Sequence, residues 1–496
     1  IKNIIAIILT FLILFLLFYR RGFMSIPFLI VLAYIGLLFA IGLYAKKKAS
    51  GSAVDYQRAG NQLSFPLVMV SIVGLAVGGA STIGVSEQAF RIGLSAGWYT
   101  VAWAIGATFM GVVMIKKLRS LPDFTTLPEL LARRYDQKGY VASIVTQMMI
   151  GVVSTSLQYI AGGSILYTLL PEYFSFEGGV LVSGIVFVGL TFIGGLWSAS
   201  LSNILNVALI YFGLIVAAIV CVFNQGGLTK VAEKLPPNGP WFDFVSGFGW
   251  TGIFAMITIF ISFNIGVQSV TQIAMSAKST KSACRGFIVG AMVMLPIGFV
   301  SALLGVVAKS MYPDSTATLA LPQAIMSLNP WLAGITLAAL WAADVSTACN
   351  LLLGTSTLVS QDIYKRFVNP NVTPKQYLWV NRASVAILGV VTCGMALTIK
   401  GIISTLMIGL SLCAAYGVTL LFALFAPSFC RKSSAFWTFS AAILLMVLWQ
   451  TVPAIRFVPQ LIYAEWIVCT TVFLTVALLT PEEIATQMVV ESEGTP

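Results

Sequence analysis

The chain contains no histidine and very little charge. Of its 496 residues, 28 are Lys or Arg and 17 are Asp or Glu, 9% together. Without histidine there is no imidazole base, no imidazole metal ligand and no imidazole pH sensor. Carboxylates are not clustered either, so the acid–base or metal constellation of a membrane-embedded enzyme is missing, and the chain is read as not an enzyme. The seven cysteines, at 221, 284, 349, 393, 413, 430 and 469, stand apart with no CxxC pair. They read as small core residues, not as a disulfide frame or a metal site. A charge content this low excludes a soluble protein of such length. With no soluble domain to carry a basic face, the net charge of +11 does not indicate nucleic acid.

Apolar residues fill the chain instead. They make up 58% of it, and the mean hydropathy is +0.94. Runs long enough to cross a bilayer recur about thirteen times, so the expected class is an all-α polytopic membrane protein with the lipid bilayer as its solvent. Lys46-Lys47-Lys48, Lys116-Lys117-Arg119, Arg133-Arg134-Lys138, Lys278-Lys281-Arg285, Lys365-Arg366 and Arg431-Lys432 fall on one side if the spans alternate. Basic loops face the cytoplasm, which implies a multi-pass protein of the cell membrane. Within the N-terminal segment 1–23, residues 4–18 are apolar but short for a span. A cleaved signal, an extra helix and an expression remnant all remain open there.

The most informative stretch runs from Ala342 to Tyr364, AADVSTACNLLLGTSTLVSQDIY. It lies in a membrane-length run, yet carries Asp344, Ser346, Thr347, Asn350, Thr355, Ser356 and Thr357. An ionisable residue inside a spanning helix marks a functional site by default. Asp344 and Thr347 are three apart and Ala343 and Thr347 four apart, which makes them helix neighbours able to offer oxygen to a cation. Two other spans look broken. Residues 74–84 hold Gly74, Gly78, Gly79 and Gly84, and Ser262-Phe263-Asn264-Ile265-Gly266 interrupts an apolar helix five spans later. Either interruption alone fits close helix packing. As a pair at corresponding positions of two halves, they point to a transporter site built on discontinuous helices. A channel would need a repeated filter or ring-forming segment, which is absent.

TLPELLARRY (126–135), GGLWSASLSNILN (194–206), Gln272 with Ala277-Lys278-Ser279, and above all the Ala342–Tyr364 stretch resemble the sodium:solute symporter family. The resemblance covers roughly residues 25–452. It implies a LeuT-type 5+5 inverted repeat with an extra N-terminal helix and extra C-terminal helices. Residues 24–63 would be the extra helix and a cytoplasmic loop, 64–223 the first repeat, 224–426 the second repeat with an outer loop, 427–480 the C-terminal helices and 481–496 a polar tail.

Carried over by position, the sodium ligands would be the carbonyls of Gly74, Val77 and Ala343 and the hydroxyls of Ser346 and Thr347. The solute would meet Ser81, Thr100, Ser154, Gln158, Phe263, Asn264 and Gln268. That set is polar but uncharged, with no deep arginine. It suits a neutral or zwitterionic solute, or a small carboxylate held by half-helix N-termini. The resemblance implies no cofactor besides sodium as the coupling ion.

The chain also departs from the family. Ser202-Asn203 stands where members often have Thr-Asp, and Cys349 and Asn350 stand where some carry serines of a second sodium site. Asp344 replaces an apolar residue. Three readings of Asp344 are open: it strengthens the sodium site, it carries a proton, or it is structural. The function read from all this is a sodium-coupled symporter importing a small organic solute by alternating access. The alternatives are proton coupling through Asp344 and, less favoured, a transporter-like solute sensor.

Overall fold

The computed structural model describes residues 25–399 and 401–480. The N-terminal apolar segment at 1–23 and the polar tail at 481–496 lie outside the described residues. Helices account for the fold in order: α1 (Ile26–Ala49), α2 (Phe65–Ala76), α3 (80–92), α4 (98–119), α5 (Leu127–Ala132), α6 (Gln137–Leu169), α7 (Phe176–Asn224) and α8 (Gly249–Gly266). Then come α9 (Gln268–Met275), α10 (Thr280–Met311), α11 (Pro330–Val368), α12 (Pro374–Ala396), α13 (Ile402–Phe425), α14 (Ser434–Thr451) and α15 (Leu461–Leu479).

Eleven helical stretches among the described residues are long and apolar enough to cross a membrane. One of them, α7, has 49 residues. As a straight helix it would be about 74 Å long, against a hydrocarbon core of about 30 Å. Gly195, at φ 50° and ψ −142°, breaks it into two passes. Together α2 and α3 make one more, broken pass, which brings the passes to the thirteen expected. A Cβ at Gly195 would lie 2.3 Å from the Tyr56 carbonyl oxygen, and this backbone region is open essentially to glycine alone. Gly195→Ala is therefore expected to lower stability by about 2 kcal/mol or more, from backbone strain and the clash together. A drop in melting temperature in detergent checks this, and an unchanged value would contradict it.

At the centre stands α11. In its most apolar window 89% of residues are buried, against 39% for α7, so α11 is shielded from lipid by its neighbours. Alanines and glycines at 333–354 let those neighbours approach closely, which is how membrane helices pack without a hydrophobic drive between them.

Both expected breaks are present. At the first, α2 stops at Ala76, Val77 leaves the helix at φ −97° and ψ 79°, and the helix resumes at Ala80. At the second, α8 stops at Gly266, Val267 is extended at φ −104° and ψ 130°, and α9 follows. The freed Gly266 carbonyl accepts from Gln147 Nε2. Irregular backbone at membrane depth is tolerable only where protein satisfies it in this way.

Hydrogen bonds close the cytoplasmic side. Arg119 donates to the carbonyls of Ala274, Met275 and Ala277, each at 3.0 Å. Leu63 pairs with the 276–278 backbone. The helix expected near Pro128 is α5, capped by Thr126, whose hydroxyl accepts from Glu129 N and donates to Asp362 Oδ1 at 2.9 Å. On the outer side the 235–248 loop is tied down: Leu94 N donates to Trp241 O at 2.9 Å and Trp98 Nε1 to Phe244 O at 2.8 Å. Within that loop, the backbone N–H groups of Ser246 and Val245 hold the Asp243 carboxyl below its ordinary range.

Candidate ion and solute site

The last four carbonyls of a helix have no intrahelical partner. Because α2 ends early, those of Gly74, Leu75, Ala76 and Val77 are in that position, at a helix terminus that carries partial negative charge. The middle of α11 packs against them. Ser346 Oγ lies 2.8 Å from Gly74 O and 2.9 Å from Ala343 O. Thr347 Oγ1 lies 2.9 Å from Gly74 O and 3.3 Å from Leu75 O. Two hydroxyls and at least three carbonyls thus gather at one point in the buried core. An all-oxygen set with no carboxylate among its members suits a hard cation of single charge. Among the described residues no group of His, Cys, Asp or Glu could hold a multivalent metal.

Gly78 and Gly79 make this approach possible. A Cβ on Gly78 would fall 2.1 Å from Thr347 Oγ1, and one on Gly79 would fall 2.4 Å from Ala161 Cβ and 2.6 Å from Asp344 Oδ1. Asp344 is fully buried, and neither of its carboxyl oxygens has a hydrogen-bond partner among the described residues.

Beside the ion position, between α2, α4, α6, α8, α11 and α13, is a small cavity. Of the solute residues expected from the sequence, Ser154, Gln158 and Phe263 line it, and Thr347 of the ion set lines it too. The other four lie elsewhere. Ser81 Oγ bonds its own turn, at Gly78 O, 2.9 Å away. Thr100 reaches the kink of α10, accepting from Gly298 N at 3.1 Å and donating to Leu295 O at 3.2 Å. Asn264 faces Gly106 and donates to Phe260 O. Gln268 ties down the start of α5, accepting from Leu127 N and donating to Thr125 O, both at 2.9 Å. Ser81 and Asn264 thus bond within their own turns, and Thr100 and Gln268 join neighbouring elements.

The sequence reading missed Tyr99, Trp103 and Phe260, which form most of the cavity's aromatic wall. Their rings meet edge to face, Tyr99 on Phe260 at 4.9 Å and Trp103 on Phe263 at 5.2 Å between centroids. A signal was present: 99/103 and 260/263 are helix-face spacings. Leu406 and Leu410 of α13 also line the cavity and carry no such signal.

The cavity measures only about 20 Å³, room for about one water molecule. Two wider cavities of about 330 Å³ each flank the start of α13 on the outer side, one against Gln88 and Trp449, the other against Tyr167 and Thr318. A solute therefore reaches the aromatic site only when helices move. Discontinuous helices with an oxygen cluster at their breaks, and access that depends on helix movement, define a secondary transporter.

Comparison with known proteins carries this further. Residues 56–441 match the sequence profile of the Sodium:solute symporter family. Sodium/proline symporters of Staphylococcus aureus are similar, for example 24% identical over 444 residues in strain USA300, covering 85% of each chain. Among solved structures, the substrate-bound outward-open state of a Na+-coupled sialic acid symporter superposes with a TM-score of 0.76 at 17% identity, over 93% of this chain and 99% of that one. A nucleobase-cation-symport-1 family transporter in a closed conformation gives 0.58 at 14% identity, over 85% and 92%. The chain belongs to the sodium:solute symporter family. It is a multi-pass, sodium-coupled importer of a small organic solute on the LeuT-type inverted-repeat fold, and its relatives are transporters, not enzymes.

Proposed function

We propose that sodium is held by the carbonyls of Gly74, Val77 and Ala343 and the hydroxyls of Ser346 and Thr347. We propose further that the solute is a zwitterion of small amino-acid size with a compact apolar body, taken up across the cell membrane. The observation that carries this reading is the convergence of Ser346 Oγ and Thr347 Oγ1 on Gly74 O, with Thr347 also lining the aromatic cavity. One residue then feels both ligands, which is what coupling requires. Each ligand must tighten the other by the same factor.

The cavity wall supports the solute class. Tyr99, Trp103, Phe260 and Phe263 offer ring surface to an apolar body, and Ser154 and Gln158 offer uncharged polar contact. No Lys or Arg lines the cavity, so a carboxylate would be met by backbone at the α3 half-helix start. The sodium/proline symporters among the relatives fit the same chemistry. In the cycle, sodium would join α2 to α11 and order the cavity. Solute would then draw α13 onto the aromatic wall, and the inner hydrogen bonds at Arg119 and Gln268 would release.

The test is a thermal-shift screen of the purified protein against amino acids, sugars and carboxylates, in sodium and in potassium at equal ionic strength. A ligand at a hundred times its Kd adds about 2.7 kcal/mol. L-proline or a similarly compact amino acid is expected to stabilise in sodium alone. Trp103→Ala is expected to weaken that solute at least about tenfold while sparing sodium binding. A sugar as the only hit would overturn the solute class, and a hit indifferent to sodium would overturn the ion site.

A further inference from the structure

We propose a second monovalent-cation site, formed by the Asp344 carboxylate and the side-chain carbonyl of Gln158 against the backbone break at Gly79, so that two sodium ions bind together. It extends the ion site proposed above and shares none of its five ligands.

The geometry is specific. Asp344 is fully buried in α11, and both of its carboxyl oxygens lack a hydrogen-bond donor among the described residues. An ideal Cβ on Gly79 would lie 2.6 Å from Asp344 Oδ1 and 3.2 Å from Gln158 Oε1. The two oxygens thus approach the same point beside Gly79, where Ala161 Cβ is also close, at 2.4 Å; Gln158 Oε1 accepts from Gly79 N at 2.8 Å and keeps one lone pair for a cation, while both Asp344 oxygens are free of donors. Among the described residues no ion pair involves Asp344. The basic residues on the elements packed around it, such as Lys46–Lys48 of α1, Lys138 of α6, Lys365 and Arg366 of α11 and Lys375 and Arg382 of α12, sit toward the cytoplasmic helix ends. A carboxylate buried without counter-charge is costly, and a bound cation supplies both the charge and the missing ligand field.

The two proposed sites adjoin at Gln158. A Cβ on Gly78 would touch Thr347 Oγ1, at 2.1 Å, and Gln158 Oε1, at 2.8 Å. Gln158 therefore reaches from the first ion's residues to Asp344, and it also lines the solute cavity. A cation at Asp344 would fix the Gln158 side chain and, through it, the solute contact. Asn203, by contrast, packs on Gly74.

The experiment counts 22Na+ bound at equilibrium per molecule of purified full-length protein without solute. Wild type is expected to bind two ions, Asp344→Asn one, and Ser346→Ala with Thr347→Ala one. A wild-type count of one that survives in Asp344→Asn but vanishes in the hydroxyl variant overturns the second site and leaves the proposed ion site standing. A count of one with the reverse pattern keeps the Asp344 site and overturns the hydroxyl site instead. Should Asp344→Asn fail to fold, the wild-type and hydroxyl-variant counts still decide: two and one support the proposal, one and zero overturn it.

Discussion

Removing both hydroxyls, Ser346→Ala with Thr347→Ala, is expected to weaken the sodium dependence of solute binding by about a hundredfold or more. Two of five proposed oxygens are lost, and at about 1.4 kcal/mol per tenfold a loss of this order needs only about 1.4 kcal/mol from each. The same hydroxyls join α11 to α2 through Gly74 O at 2.8 and 2.9 Å. Their loss should therefore also lower stability in potassium, by about 1 kcal/mol per bond. The two effects separate cleanly. The stability loss appears in either cation, whereas the affinity loss is read from the sodium concentration that half-activates solute binding. Ser346→Thr and Thr347→Ser keep an oxygen at each position and should recover most of the sodium response. A double alanine variant that still half-activates near the wild-type sodium concentration would remove these hydroxyls from the ion site.

The second large effect is expected from one methyl group. Gly79→Ala places Cβ 2.4 Å from Ala161 Cβ and 2.6 Å from Asp344 Oδ1. A carboxylate can swing away; the methyl of a helical alanine cannot, so α6 and the break must separate. Overpacking of this kind costs about 1–3 kcal/mol, and here the displaced elements carry Gln158 and the carbonyls at the end of α2. Uptake should fall to a few per cent or less. Ala161→Gly in the same chain removes the closer clash and should restore a substantial part, giving a non-additive pair. As a control, Gly394→Ala, where nothing lies within 4 Å of the added Cβ, should be nearly silent. If Gly79→Ala transports normally, the break does not hold the close approach described.

How far the chain could be read before folding depends on the range of the forces involved. Alternation of apolar runs and basic loops gave thirteen passes because a bilayer filters each segment by its own composition. The glycines at 74–84 and the Ser262–Gly266 interruption marked the two breaks because backbone that leaves a helix in lipid needs local help. Asp344 stood out because a carboxylate is rare in such a helix, whatever surrounds it. Thr100, Asn264 and Gln268 were indistinguishable from Ser154 and Gln158 along the chain, since a helix–helix hydrogen bond and a solute contact ask for the same side chains. What separated them was which neighbour each one met: the α10 kink for Thr100, α5 for Gln268, the cavity for Gln158. Likewise Leu406 and Leu410 joined the cavity wall only because α13 closes over it. Composition and spacing act within one helix and settle its existence, its breaks and its charge; partners come from packing between helices hundreds of residues apart, a distance over which no local pattern carries information.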